Sequence, residues 1–161
     1  MTESENNLPR DLQHPGGFVE ATMDWINATA VCPQPIFALA SALCLAGTLY
    51  GRHVKDESGQ RTNIYVMGVG FTSSGKDYPL KAVSRALDSC EATNLRLGQV
   101  TSDSAVEYAL RRNPRFAMLI DECGHFFASV TDAKASGSPL HALKPALLEL
   151  WSCAGGRWKG K

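Results

Sequence analysis

Net charge is the first thing this sequence lacks: sixteen Lys and Arg balance sixteen Asp and Glu. No bulk basicity announces a nucleic-acid partner, so any such contact has to come from a local patch. Disulfide pairing is also missing as a pattern. The cysteines Cys32, Cys44, Cys90, Cys123 and Cys153 are odd in number and widely spaced, and no Cys-x-x-Cys pair occurs. That argues against a disulfide framework or a structural zinc site and for a reducing compartment, so a cytoplasmic location is expected. The opening "MTESENNLPR" is too polar for a signal peptide. No long membrane run exists either. The longest apolar stretch, Ile36 to Tyr50, would span about 22 Å as a helix, against a hydrocarbon core of about 30 Å. It also holds Ser41, Gly47 and Thr48. A buried helix is expected there, and no membrane partner. There is no internal repeat. Apolar residues are not scarce: 44% of the 161 residues are hydrophobic and 20% charged, enough for one domain with a real core.

Proline and glycine punctuate what is present. Residues 1–16 are expected to be a flexible entry ending in the turn "HPGG". Residues 17–60 form a helical lead-in. Phe18 to Ala30 is an amphipathic helix with Phe18, Met23, Trp25 and Ile26 available for burial. "CPQP" breaks it, and Pro35 suits the first turn of the next helix, Ile36 to Gly51. "KDESGQRT" is a polar turn. Residues 61–161 are the expected α/β core, the segment that carries the candidate motifs. "IYVMGV", within Asn63 to Val69, predicts a buried strand. A helix over Lys76 to Cys90 follows, with Pro79 in its first turn. "NLRLGQV" is a short strand. Thr101 to Asn113 is a helix capped by Thr101 or Ser102, with Val106, Ala109 and Leu110 on one face. "RFAMLIDE" is a second strand, apolar on both faces and stopped by two acids. "TDAKASGSP" is a loop. Pro139 to Ser152 is a helix with apolar Leu140, Leu143, Leu147, Leu148 and Trp151.

Chemistry concentrates in "VMGVGFTSSGKD". Gly70, four intervening residues, Gly75 and Lys76 have the spacing of a phosphate-binding loop. Such a loop brings backbone N–H groups close to phosphate oxygens, which glycine permits, and it opens a helix whose free N–H groups face the anion. Lys76 stands where a lysine reaches the terminal phosphates. Thr72, Ser73 and Ser74 add hydroxyls. Ser or Thr ordinarily follows the lysine and ligates Mg²⁺; here the residue is Asp77. A carboxylate also ligates Mg²⁺, whereas the bland reading makes Asp77 a first-turn acid favoured by the helix dipole. A dinucleotide fingerprint fails at Ser73, where the third glycine should stand.

The second strand supplies the other half. Phosphoryl hydrolysis needs a metal holder and a group that orients the attacking water. Asp121 and Glu122, ending an apolar run, are placed for both, with Asp121 on the metal and Glu122 on the water. The bland alternative is that two acids merely end a strand. The remaining candidates are weaker. Cys123 and His125 lack a second ligand pair. A serine nucleophile lacks the Gly-x-Ser-x-Gly elbow. Arg111, Arg112 and Arg115 are either helix-end solvation or an interface. Arg157, Trp158, Lys159 and Lys161 suit a solvated tail or a strand-binding loop.

"NIYVMGVGFTSSGKD", "FAMLIDECGHFF" and "LLELWSCAGGRWKGK" together resemble a phage and prophage P-loop family, catalogued as a domain of unknown function and often found beside primase or helicase modules. "FVEATMDWINATAVCPQPIFALASALCLAGTLYGR" is similar to that family's helical lead-in. The resemblance runs from about His14 to Lys161, and a lysine followed by Asp is usual in that family. It implies an α/β fold with a RecA- or AAA+-type parallel sheet behind an N-terminal helical segment. It implies a Walker A loop of Gly70, Thr72, Ser73, Ser74, Gly75, Lys76 and Asp77, and a Walker B strand ending at Asp121 and Glu122. It further implies ATP and Mg²⁺ as ligands, DNA as a partner, homo-oligomers, and a helicase-like replication ATPase. Family members carry further strands after the last quoted segment, so a C-terminally truncated core is expected. The rival expectations are a non-catalytic nucleotide-binding scaffold of a replication complex and, third, a small-molecule kinase.

Overall fold

Proline and glycine mark the helix ends much as the sequence predicts. In the computed structural model, which describes residues 9–131, 141–153 and 156, a short helix α1 (Arg10–Gln13) lies within the expected flexible entry. Gly16 and Gly17 then turn the chain with φ of 78° and 57°. The Glu20 carboxylate accepts from the Gly16 N–H at 3.0 Å and sits 2.8 Å from His14 Nδ1, closing the start of α2 (Gly17–Thr29). "CPQP" ends that helix, and Pro35 opens α3 (Pro35–Tyr50). The chain divides into two compact units: residues 1–47 with 65–93, and residues 48–64 with 94–161.

The first unit is helical. Met23 of α2 packs with Leu39 and Ala42 of α3. Ile26 of α2, Ala38 of α3 and Ala82 of α4 (Asp77–Ser89) form a second cluster, flanked by Trp25 and Tyr78. Helix α4 buries Pro79, Ala82, Val83 and Leu87, a stripe at helical spacing. Phe18, expected inside, is 40% exposed. Ile26, only 1% exposed, is the largest fully buried side chain of this cluster.

One expected element is absent as predicted. Residues 63–69 belong to no sheet, and 64–69 are exposed rather than buried: Met67 is 60% and Val69 78% accessible. The apolar run was legible; its burial required neighbouring strands, and none pairs with it among the described residues.

The second unit holds a βαβ arrangement. Strand β1 (Arg96–Leu97) runs parallel to β2 (Ala117–Met118), in the register Arg96 with Ala117 and Leu97 with Met118. Leu119 N–H extends the ladder to Leu97 O at 3.1 Å. Between the strands lies α5 (Asp103–Arg112), capped by Ser102, whose Oγ accepts from Ala105 N–H at 3.1 Å. Such a cap is worth about 1 kcal/mol. Val100, Val106, Phe126, Val130 and Leu143 make the core, drawing in α6 (Cys123–Thr131) and α7 (Leu143–Ser152). Helix α7 turns Leu143, Ala146, Leu147 and Leu150 inward, while its apolar Leu148 and Trp151 are 61% and 48% exposed. In the polar turn the Ser58 hydroxyl, then the Gln60 N–H, hold the Asp56 carboxyl below its usual range. The predicted loop 131–139 lies outside the described residues apart from Thr131, as does Leu140, and of the basic tail only Cys153 and Gly156 fall within them.

The architecture is therefore mixed α/β, with seven helices and one small parallel sheet among the described residues. Ile26→Ala should cost about 2–5 kcal/mol of unfolding free energy, as cavity-forming core truncations do, measured by urea denaturation. A loss below about 0.5 kcal/mol would mean the three helices are not packed as described.

Candidate functional site: the glycine loop

The loop from Gly70 to Lys76 leads directly into α4. Lys76 occupies the N-cap position, and no side chain caps the helix. The first-turn N–H groups of a helix have no intrahelical carbonyls, so this end presents donors together with the positive end of the helix dipole. Ser74 N–H bonds Phe71 O at 3.3 Å and Tyr78 N–H bonds Gly75 O at 3.3 Å, giving a tight turn of the kind the sequence predicts. Lys76 folds back over it: Nζ donates to Gly70 O at 2.8 Å, partly buried. The ammonium therefore lies across its own loop and would exchange one oxygen acceptor for another on meeting phosphate.

One glycine of the loop is demanded by space, and a second sits in tight surroundings. Gly75 has φ +83°, and a Cβ there would lie 2.6 Å from the Cys32 carbonyl oxygen. A Cβ on Gly70 would lie 3.2 Å from Ser74 Oγ and 3.4 Å from Phe37 Cζ. The loop is thus packed against the segment joining α2 to α3, and Gln34 Nε2 donates to Ser74 O at 2.8 Å. In the sequence, "CPQP" signals a helix break and, through Pro35, the start of the next helix, but no contact with the loop. A glutamine between two prolines was the available signal, and it was too weak to assign a contact forty residues along the chain.

The hydroxyls differ. Thr72 and Ser73 are exposed. Ser74 Oγ is closed off from solvent and has no hydrogen-bond partner, a state that costs about 1–3 kcal/mol. Asp77 is exposed in the first turn of α4, which suits a metal-facing carboxylate and a simple dipole partner equally.

Asp121 and Glu122 belong to the second unit, the glycine loop to the first. They follow the paired part of β2 at its carboxyl end, where parallel sheets place ligand contacts. Both are exposed, and Asp121 Oδ1 accepts from the Glu122 N–H at 2.9 Å. Non-glycine residues with positive φ are Ser73 (62°), Glu91 (54°) and Glu122 (50°). Glu91 needs no functional account: it follows α4, and Ala92 N–H closes back on Leu87 O at 2.8 Å, an ordinary left-handed helix end. Ser73 and Glu122 remain, one in each half of the predicted site. Left-handed backbone at such residues costs on the order of 1–2 kcal/mol.

The donor chemistry fits Mg²⁺ held with a nucleotide. That ion takes one or two carboxylates and fills its octahedron with phosphate oxygens and water. Asp77, in the first unit, is an exposed carboxylate of that kind, and so, within the second unit, is Asp121. The described residues form no group of three His, Cys, Asp or Glu side chains suited to a dedicated metal cage, so Cys123 and His125 at the start of α6 do not make one. The arginine cluster is engaged locally. Arg111 pairs with Glu107 at 2.7 Å, Arg112 bonds Tyr108 Oη at 3.0 Å, and Arg115 donates to Leu49 O at 2.6 Å. No helix among the described residues is long and apolar enough to cross a membrane.

Gly75→Ala should lose at least about 2 kcal/mol, combining left-handed strain with the steric conflict at Cys32, and denaturant unfolding measures it; an unchanged midpoint would contradict the close approach. Compared with family models, curated proteins and solved structures, the chain matches none.

Proposed function

We propose that this chain binds a Mg²⁺-nucleoside triphosphate, ATP foremost, at Gly70–Asp77 and hydrolyses it in the service of phage or prophage DNA replication, as a P-loop NTPase of the RecA or AAA+ type. One observation carries the reading: a glycine turn opens an uncapped helix, with the Lys76 ammonium folded across the turn onto Gly70 O at 2.8 Å. Free helix donors, a conformationally permissive turn and a mobile cation at one place are what a polyphosphate requires.

In this reading the loop N–H groups and Lys76 hold the phosphates, and Ser74 Oγ gains a partner. Asp121 and Asp77 are the metal carboxylates. Mg²⁺, when bound, offsets charge on the phosphate oxygens. Glu122 orients the attacking water and accepts its proton.

Calorimetry tests the binding half. Lys76→Ala should lose most Mg-ATP affinity and keep its circular dichroism spectrum, while Asp77→Ala should weaken metal-dependent binding more than metal-free binding if that carboxylate is a ligand. Unchanged affinity in Lys76→Ala would sink the site.

Turnover tests the other half. Glu122→Gln should still bind ATP and hydrolyse it about 10²–10⁴-fold more slowly, the range for loss of a general base. Asp121→Asn should in addition lose Mg²⁺ dependence. Stimulation by single- or double-stranded DNA marks a motor. Binding without turnover, with or without DNA, leaves the non-catalytic scaffold as the function.

A further inference from the structure

We propose that Gln34, in the segment between α2 and α3, is a positioning residue of the phosphate loop: it aims the Gly75 N–H toward the bound polyphosphate. The inference rests on the nucleotide-binding reading above and adds a residue that the loop motif does not contain.

Peptide geometry carries the inference. The Gln34 amide donates to Ser74 O at 2.8 Å. That carbonyl belongs to the peptide joining Ser74 to Gly75, which is trans, as every peptide described here is. A trans peptide is planar, with its C=O and N–H pointing opposite ways. Drawing the Ser74 carbonyl toward Gln34 therefore turns the Gly75 N–H away from the α2–α3 segment, to the open side of the loop. The φ of +83° at Gly75 permits this setting, and the Cys32 carbonyl, 2.6 Å from where a Cβ would stand, closes the near side. Phe37 braces the turn two residues into α3, its ring 3.4 Å from the Cβ position of Gly70. Gln34 is itself half-buried, so the bond is shielded from water and worth more than a surface contact.

A donor fixed in advance saves the loop the ordering that phosphate would otherwise impose. The lead-in helices thus become part of the binding apparatus. Whatever moves the α2–α3 segment releases the Ser74 peptide and lowers nucleotide affinity.

The test uses the 161-residue chain and two probes, Mg-ATP and tripolyphosphate. Gln34→Met keeps the length of the side chain and removes the donor; Gln34→Glu keeps the shape and sets a carboxylate against the carbonyl. Both should weaken Mg-ATP binding by about three- to tenfold, the yield of one shielded hydrogen bond, with Gln34→Glu the weaker binder. The discriminating readout is the Gly75 amide resonance. Tripolyphosphate should shift it in the wild type, and the shift should shrink in both variants while resonances of Met23, Ile26 and Leu39 stay in place. A purely structural glutamine would disturb those core resonances and leave the Gly75 shift intact in the folded fraction. Wild-type affinity and a full Gly75 shift in either variant overturn the proposal while Lys76→Ala still abolishes binding. If Lys76→Ala binds like the wild type, or the wild type does not bind, the site reading fails and this inference falls with it.

Discussion

The hydrogen bond from Gln34 to the Ser74 carbonyl links two stretches of chain forty residues apart. On one side is a turn rich in glycine, serine and threonine, which by composition has many accessible conformations. On the other is a pair of helices with a shared apolar core. The bond, the Cys32 carbonyl and the Phe37 ring hold the turn from one flank. The second flank is left for whatever the loop binds. Without that support the turn would have to be ordered by its ligand, at a cost in conformational entropy of about 1–2 kcal/mol per residue.

Packing behind the loop follows from the same constraint. Helix α4 begins at the loop, so its position determines where the uncapped N-terminus points. Ile26 and Ala38 pack on Ala82, one turn beyond Tyr78. The Tyr78 hydroxyl donates to Thr29 Oγ1 at 2.7 Å and accepts from Arg85 at 2.8 Å, and the Arg85 guanidinium lies 6.0 Å from the Trp25 ring. These contacts are modest singly, yet together they tie α4 to α2 and α3. Residues 17–47 of the helical lead-in therefore share one compact unit with the loop they precede.

The second unit contributes in a different way. Its sheet is short, two paired residues in each strand, and the acids follow β2 at the carboxyl edge. Glu122 adopts left-handed backbone there, and its carbonyl accepts the His125 N–H at 3.1 Å to start α6. Both carboxylates are exposed. The catalytic roles proposed for them follow from that exposure and from position in the chain, and they stand or fall with turnover.

Helix boundaries were legible because they are local. "HPGG", "CPQP", Pro79 and Ser102 act through φ restriction, a missing N–H or a side-chain cap, and each acts within a few residues. The glycine loop, the helix after it and the two acids could be marked for the same reason: residue type and spacing carry them. Strand formation at residues 63–69 could not be decided that way. Apolar β-rich composition states what a strand would bury, but pairing and burial depend on partners far along the chain, and among the described residues no strand covers Met67 or Val69. Nor could the sequence say which elements flank the loop. Gln34, Cys32 and Phe37 reach it because α2 and α3 pack through Met23, Leu39 and Ala42 and carry the intervening segment there. The residue types needed for phosphate chemistry are thus written in the order of the chain. Only tertiary packing decided how the loop is braced, because that bracing is made of contacts between residues about forty positions apart, a distance at which sequence spacing carries no geometry.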